Sequence, residues 1–331
     1  MNDTPHGSAQ RTIERFVQAW RSGDWRGSEH WIAADARLRS SQHGHGVGPA
    51  AFATLLAPDA VGDAFHVRTS NHSLRVGAHR AVAGFYAFAS KHAPSAALLF
   101  GATLRVDLHT DASGTWRIGG AIVSINWSKG SASAMPHWTG VPGENGWQLG
   151  DAPPVLVSEL DAPWRVRLEG LIAPAVETQL VELYSRYAWA IDQGDIALLS
   201  DCYTDTCAGK FAPMGGYTGR HAVIGQLKCF RRHWPWMQHF ADVVRMEVVS
   251  ETKARLIVAR IIPERPLDAS GRPVYGAHYQ LAAERESDGQ WRISWTDYRP
   301  GWFGMDTLPA FDMPAFASEP KGTPLTSPRQ P

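Results

Sequence analysis

The sequence lacks a charge excess, a long apolar run and any useful number of cysteines, and each absence closes off a class of function. Its 32 Lys and Arg are balanced by 32 Asp and Glu, so no basic groove for a nucleic-acid backbone is expected. No stretch approaches the roughly 20 apolar residues that span a bilayer, and Met1 to Thr12 is polar where a signal peptide would be apolar. The expectation is a cytoplasmic protein without membrane or nucleic-acid partners. Cys202, Cys207 and Cys229 are odd in number and form no CxxC pair, which excludes a disulfide framework and a thiolate metal cluster. Aromatic and imidazole side chains are abundant instead, with 14 Trp, 8 Tyr and 14 His among 331 residues. Such residues can line a pocket for a small apolar, oxygenated ligand.

A chain of this length suggests about two domains, and it repeats itself once. Gly23-Asp24 recurs as Gly194-Asp195, Gly48 as Gly219 and Ala51 as Ala222, all at a spacing of 171 residues. Further on, His66 falls against His239, and Gly114-Thr115-Trp116-Arg117-Ile118 against Gly289-Gln290-Trp291-Arg292-Ile293, with the spacing drifting to 173 and then 175. Ordered landmarks with a slow drift are what two copies of one domain give after small loop insertions.

Each copy opens with a helical pattern, through Ile13, Phe16, Val17 and Trp20 in the first and Leu180, Leu183, Tyr184, Tyr187, Ala188 and Ile191 in the second. The Gly-Asp pair ends both helices. A short helix over 195–201 and a third after Gly219 follow, matched by one from Pro49 to Leu56. The period then changes to that of strands, near 240–248, 254–262, 275–285 and 291–298. The predicted fold is α+β: two tandem cone-shaped domains, each with three helices packed on a curved antiparallel β-sheet, paired as an intramolecular pseudo-dimer. Residues 8–150 form the first domain with its tail and linker, 172–317 the second, and 318–331 a disordered tail. Trp302, Phe303, Phe311 and Phe316 are expected to fold back over a pocket mouth. Trp189, on the polar face of its helix, reads as an interface anchor.

The second copy resembles the SnoaL-like and scytalone-dehydratase-like branch of the nuclear transport factor 2-like superfamily. The likeness lies in Tyr187 to Asp195, Cys202-Tyr203-Thr204-Asp205, Tyr217-Thr218-Gly219-Arg220, Gln238-His239-Phe240 and Asp288 to Ile293; the first copy resembles the family in outline. The resemblance implies a carboxylate at the end of the first helix facing a histidine at the start of the long strand, positions held here by Asp192 and His239. It also implies a second histidine, for which His278 is the nearest candidate, with its strand parity left open. Ile191 and Phe211 stand where the dehydratases have tyrosines, so a phenol would come from Tyr187, Tyr217 or Tyr279. Tyr187, Tyr203, Phe211, Tyr217, Trp236 and Tyr279 are the expected substrate-binding residues.

A histidine held by a carboxylate is a general acid/base unit that needs neither metal nor organic cofactor. The expected function is dehydration, isomerisation or cyclisation of a small cyclic or aromatic carbonyl compound. A non-catalytic binding protein with the same cavity is the alternative; a third is an interaction protein that docks a partner through its sheets. In the first copy Arg21 takes the place of Asp192, so His66 is expected to face a cation in a domain that shapes rather than catalyses. His43 and His45 flank a glycine without a third ligand nearby and read as surface-strand histidines, so no metal site is expected. His233-Trp234-Pro235-Trp236 reads equally as a pocket lip or an interdomain plug.

Overall fold

The computed structural model describes residues 4–62, 65–139, 161–233, 237–314 and 316. The tail from 318, Trp234 to Trp236 and the expected domain ends at 150 and 317 lie outside the described residues. The first copy comprises α1 (Pro5–Ser22), a 3₁₀ turn (Ser28–His30), β1 (Ile32–Ser40), β2 (Gly44–Val47), α2 (Pro49–Leu56), a 3₁₀ turn (Ala57–Ala60), β3 (Phe65–Val76), β4 (Arg80–Ala93), β5 (Ala96–Thr110) and β6 (Trp116–Gly130). The second comprises α3 (Val176–Gln193), α4 (Ile196–Asp201), β7 (Tyr203–Phe211), β8 (Gly215–Thr218), α5 (Arg220–His233), β9 (Ala241–Ser250), β10 (Lys253–Arg260), β11 (Val274–Arg285) and β12 (Trp291–Gly304).

The two six-stranded sheets have the same order, β2-β1-β6-β5-β4-β3 and β8-β7-β12-β11-β10-β9. The repeat extends to irregularities. The β5–β6 register shifts between Asp107 and Leu108, and the β11–β12 register between Ala282 and Ala283, which is 175 residues on. Gly23 and Gly194 both close their helices with φ of 70°, a left-handed conformation that glycine adopts without steric cost. Both sheets are mixed rather than wholly antiparallel, because β1–β6 and β7–β12 run parallel. The hairpins β1–β2 and β7–β8 carry little alternation, and their bounds were not legible in the sequence.

Each sheet curls around its own first helix, and each copy has its own apolar core. The copies meet asymmetrically. Tyr86 and Phe88 on the outer face of the first sheet pack against the second copy, where Tyr86 stacks on Trp189 at 6.2 Å and Tyr86 and Phe88 each meet Phe240 edge-on. Ser73 donates to Glu182 at 2.5 Å, and Ser185 to the carbonyl of His72 at 3.0 Å, tying α3 to β3. The outer face of the second sheet is covered differently, by the chain's own end: the Asp312 N–H donates to Gln280 at 2.8 Å, and Arg245 lies over Phe311. Phe303 packs on Tyr275 and His278, and Trp302 is half exposed. These aromatics therefore lie along the sheet rather than over a pocket mouth.

The contact between the copies predicts a cost. Phe240 is 1% exposed and touches Tyr86, Phe88 and Trp127, so Phe240→Ala should destabilise by about 3–5 kcal/mol in urea unfolding. Trp302→Ala, which removes one cation–π contact with Arg265, should cost under about 1 kcal/mol.

Candidate active site

Asp192 lies in the last turn of α3, next to the helix's negative end, where a carboxylate is disfavoured. It is held there by three donors aimed at two problems. The His239 backbone N–H donates to one carboxylate oxygen at 2.8 Å, and the His239 ring binds the other through Nδ1. Arg231, from α5, donates to the exposed helix-end carbonyls of Ile191 at 2.7 Å and Asp192 at 2.5 Å. Both Asp192 and His239 are buried.

The first copy holds His239 in place. Gln238 donates to the carbonyl of Ala102 at 2.8 Å and accepts from Trp127 at 3.0 Å, while the Ala241 N–H donates to Asn71 at 3.2 Å. With Phe240 packed on Tyr86 and Phe88, three residues around His239 are thus anchored in the first sheet. The Tyr86 phenol also borders Asp192; burial first, and then the charge of that carboxylate, push its pKa well above its ordinary value.

His239 opens onto a cavity of about 470 Å³ between α3 and its sheet, lined among others by Tyr187, Phe211, Met214, Arg260 and Tyr279. That volume suits a small ligand. With Nδ1 bound to the carboxylate, Nε2 is the nitrogen left for the cavity. Burial and the nearby Arg260 charge lower the His239 pKa below 6.5, against the opposing pull of Asp192. The ring is therefore predominantly neutral at pH 7, with its Nε2 lone pair available. Arg260 ends β10 with its Nε buried and meeting no acceptor among the described residues. Burial opposes its charge, but Tyr279, Tyr184 and Asp192 raise its pKa on balance. The cavity therefore combines a neutral base with a fixed cation.

Of the residues singled out from the sequence, Tyr187, Phe211, Tyr279 and His239 line this cavity. Tyr203 is fully buried behind Tyr187, their rings 6.1 Å apart, and belongs to the core. Tyr217 donates its hydroxyl to the Met214 carbonyl at 3.1 Å and lies behind Phe211 rather than in the lining. His278 does not join Asp192 and His239. Its neighbour Tyr279 takes the cavity face, so strand alternation turns His278 to the opposite face, against Phe303 and near Arg299. Trp236 lies outside the described residues. Arg260 was missed, although a lone arginine closing the apolar stretch 256–259 was a visible signal.

The first copy lacks all of these groups. Arg21 replaces Asp192, and the strand register puts Ala87 and Leu104 where Arg260 and Tyr279 stand. His66 is exposed, not facing a cavity. His45 is exposed as expected, whereas His43 is buried against Asp59, contrary to a surface-strand reading.

Residues 175–297 match the SnoaL-like domain family. That span is a SnoaL-like domain, and the first copy repeats its topology. No curated protein matches the chain. Among solved structures it is similar to a putative ketosteroid isomerase from Shewanella frigidimarina, at 12% identity over 35% of this chain and 94% of that one, with a TM-score of 0.32. A putative dehydratase of the NTF2-like family from Streptomyces avermitilis matches at 18% identity over 37% and 93%, with a TM-score of 0.30. A hexachlorocyclohexane dehydrochlorinase from Novosphingobium barchaimii matches at 14% over 39% and 93%, with a TM-score of 0.33. Among the described residues no helix is long and apolar enough to cross a membrane.

The electrostatics predict the titration of His239. Its folded pKa lies below the unfolded value of 6.5, so the unfolded chain takes up the proton first and stability is lost as pH falls through and below 6.5. An NMR titration of the ring should show it more than half neutral at pH 6.5. Arg260→Gln should move the midpoint up, and Asp192→Asn should move it down.

Proposed function

We propose that the second copy is an acid/base enzyme that dehydrates or isomerises a small cyclic or aromatic carbonyl compound. One observation carries this reading: a buried imidazole, fixed by a carboxylate through Nδ1, presents Nε2 to an apolar cavity that Arg260 also lines. His239 Nε2 takes the proton from the carbon beside the substrate carbonyl. Asp192 keeps the ring in the tautomer that can do so and stabilises the imidazolium that forms. The electron pair moves onto the carbonyl oxygen, where the Arg260 guanidinium and the Tyr279 phenol supply charge and a hydrogen bond to the enolate.

Arg260 also sets how the proton is returned. A cation near His239 makes the imidazolium a stronger acid, so it readily gives the proton to a leaving hydroxyl, which departs as water. Delivery to a different carbon would instead complete an isomerisation. Neither course requires a cofactor, because only protons and electron pairs within the substrate move.

Solvent exchange provides a test that does not depend on knowing the natural substrate. A panel of cyclic and aromatic ketones, incubated with the protein in D₂O, should contain members that acquire deuterium beside the carbonyl. Asp192→Asn and His239→Ala should each slow that exchange by about 10²- to 10⁴-fold, while ligand affinity changes by roughly 0.5–1.5 kcal/mol at most. His66→Ala should leave the rate within a few-fold of wild type. Ketones that bind to the wild-type protein without any exchange would instead make it a binding protein.

A further inference from the structure

The cavity of the second copy has a counterpart in the first, and that counterpart is filled with polar groups. Counting back 171 residues from Ile191, Phe211, Met214 and Phe230, all in the second cavity's lining, gives Trp20, Ser40, His43 and Asp59. In the structure these four converge, joined by His137 and Trp138 from the segment after β6. Trp20 donates to one Asp59 oxygen at 2.8 Å and Trp138 to the other at 2.9 Å. His43 Nε2 lies 3.0 and 3.1 Å from the two oxygens, and His137 Nε2 lies 2.7 Å from one. The ligand atoms of His43, Asp59 and His137 all fall within 4.8 Å of one another.

The fold itself does not need this cluster. At the equivalent places the second copy uses Ile191, Met214 and Phe230, and buried charged clusters are commonly no more stabilising than apolar residues of similar size. A carboxylate with fully buried side-chain atoms is therefore kept for some other purpose. Two imidazoles and one carboxylate are the donor set that Zn²⁺ and its first-row neighbours take.

We infer that His43, Asp59 and His137 form a binding site for a first-row divalent cation, of which Zn²⁺ suits the donors best. Nε2 of each histidine and an oxygen of Asp59 supply three ligands. His137, whose side chain is 25% exposed, leaves a solvent-facing side for a water as the fourth. The outer contacts are those that orient metal ligands: Ser40 Oγ lies 2.6 Å from His43 Nδ1, and the two indole N–H groups fix the carboxylate. Binding needs a tautomer change in both histidines, the Nε2 protons of His43 and His137 moving to Nδ1, which in His43 then points at Ser40. Lys91, which donates to the Asp59 carbonyl at 2.9 Å, opposes the ion's charge from the backbone side. The ion would tie the segment after β6 to the 3₁₀ turn after α2 and to the β1–β2 turn, a structural role separate from the chemistry of the second copy.

Protein stripped with a chelator and titrated with Zn²⁺ should take up one equivalent and gain thermal stability, and Co²⁺ in its place should give the visible absorption of a tetrahedral site. His137→Gln, which alters the least buried ligand, should weaken Zn²⁺ binding by more than about 100-fold while leaving the metal-free fold intact by circular dichroism. Anomalous diffraction at the zinc edge from wild-type crystals locates the ion without any substitution. No uptake by the wild type, equal binding by His137→Gln, or an ion located away from Asp59 would overturn the assignment and leave the cluster a hydrogen-bonded plug.

Discussion

The bond between the Asp192 carboxylate and His239 is the constraint around which the second copy is organised. A negative charge buried at the negative end of a helix is unfavourable on both counts. It persists because one residue supplies both a backbone and a ring donor, and because Arg231 covers the helix-end carbonyls. Removing one partner of such a buried pair typically costs about 3–5 kcal/mol, so the segment 238–241 cannot drift without losing that compensation. The first copy adds further restraint through Gln238, Phe240 and Ala241. His239 is thereby held between two domains, although the cavity it faces belongs to one.

The two copies show how a single backbone plan supports different interiors. Strand order, the glycine helix stops and a paired bulge are retained across the repeat, because they determine whether the sheet can curl around its helix. The lining is free to change once the scaffold is stable. In the second copy it became an open cavity with a base and a cation. In the first, Trp20, Phe100 and Trp138 fill the equivalent space, and His43 and Asp59 stand in place of Met214 and Phe230. This is why Arg21 in place of Asp192 causes no structural conflict: no cavity in the first copy needs a base.

Much of this was legible in the sequence where it depended on local rules. The Gly-Asp landmarks and helix periodicity located α1 and α3, and the spacing of Trp116 from Trp291 located the last strands. Asp192 and His239 could be matched because they lie at element ends, where counting errors are small. The parity of His278 could not be decided, since β11 is buried on both faces over Tyr279 to Ala283 and shows little alternation there. Arg260 lay inside the expected strand 254–262 without being read as a site residue, although it lines the cavity. His43, Asp59 and His137 are too far apart in sequence for any spacing rule, and the short β1–β2 hairpin that carries His43 has little alternation to reveal it.

The central claim is that His239 is a neutral base whose free nitrogen faces the cavity. Nitrogen-15 NMR of the histidine rings, with His239 assigned by comparison with His239→Ala, reads this directly near neutral pH. The predicted spectrum shows a protonated Nδ1 with a strongly deshielded proton shared with Asp192, and an Nε2 with the chemical shift of an unprotonated, pyridine-like nitrogen. A protonated Nε2, whether in the opposite tautomer or in an imidazolium, would contradict the account.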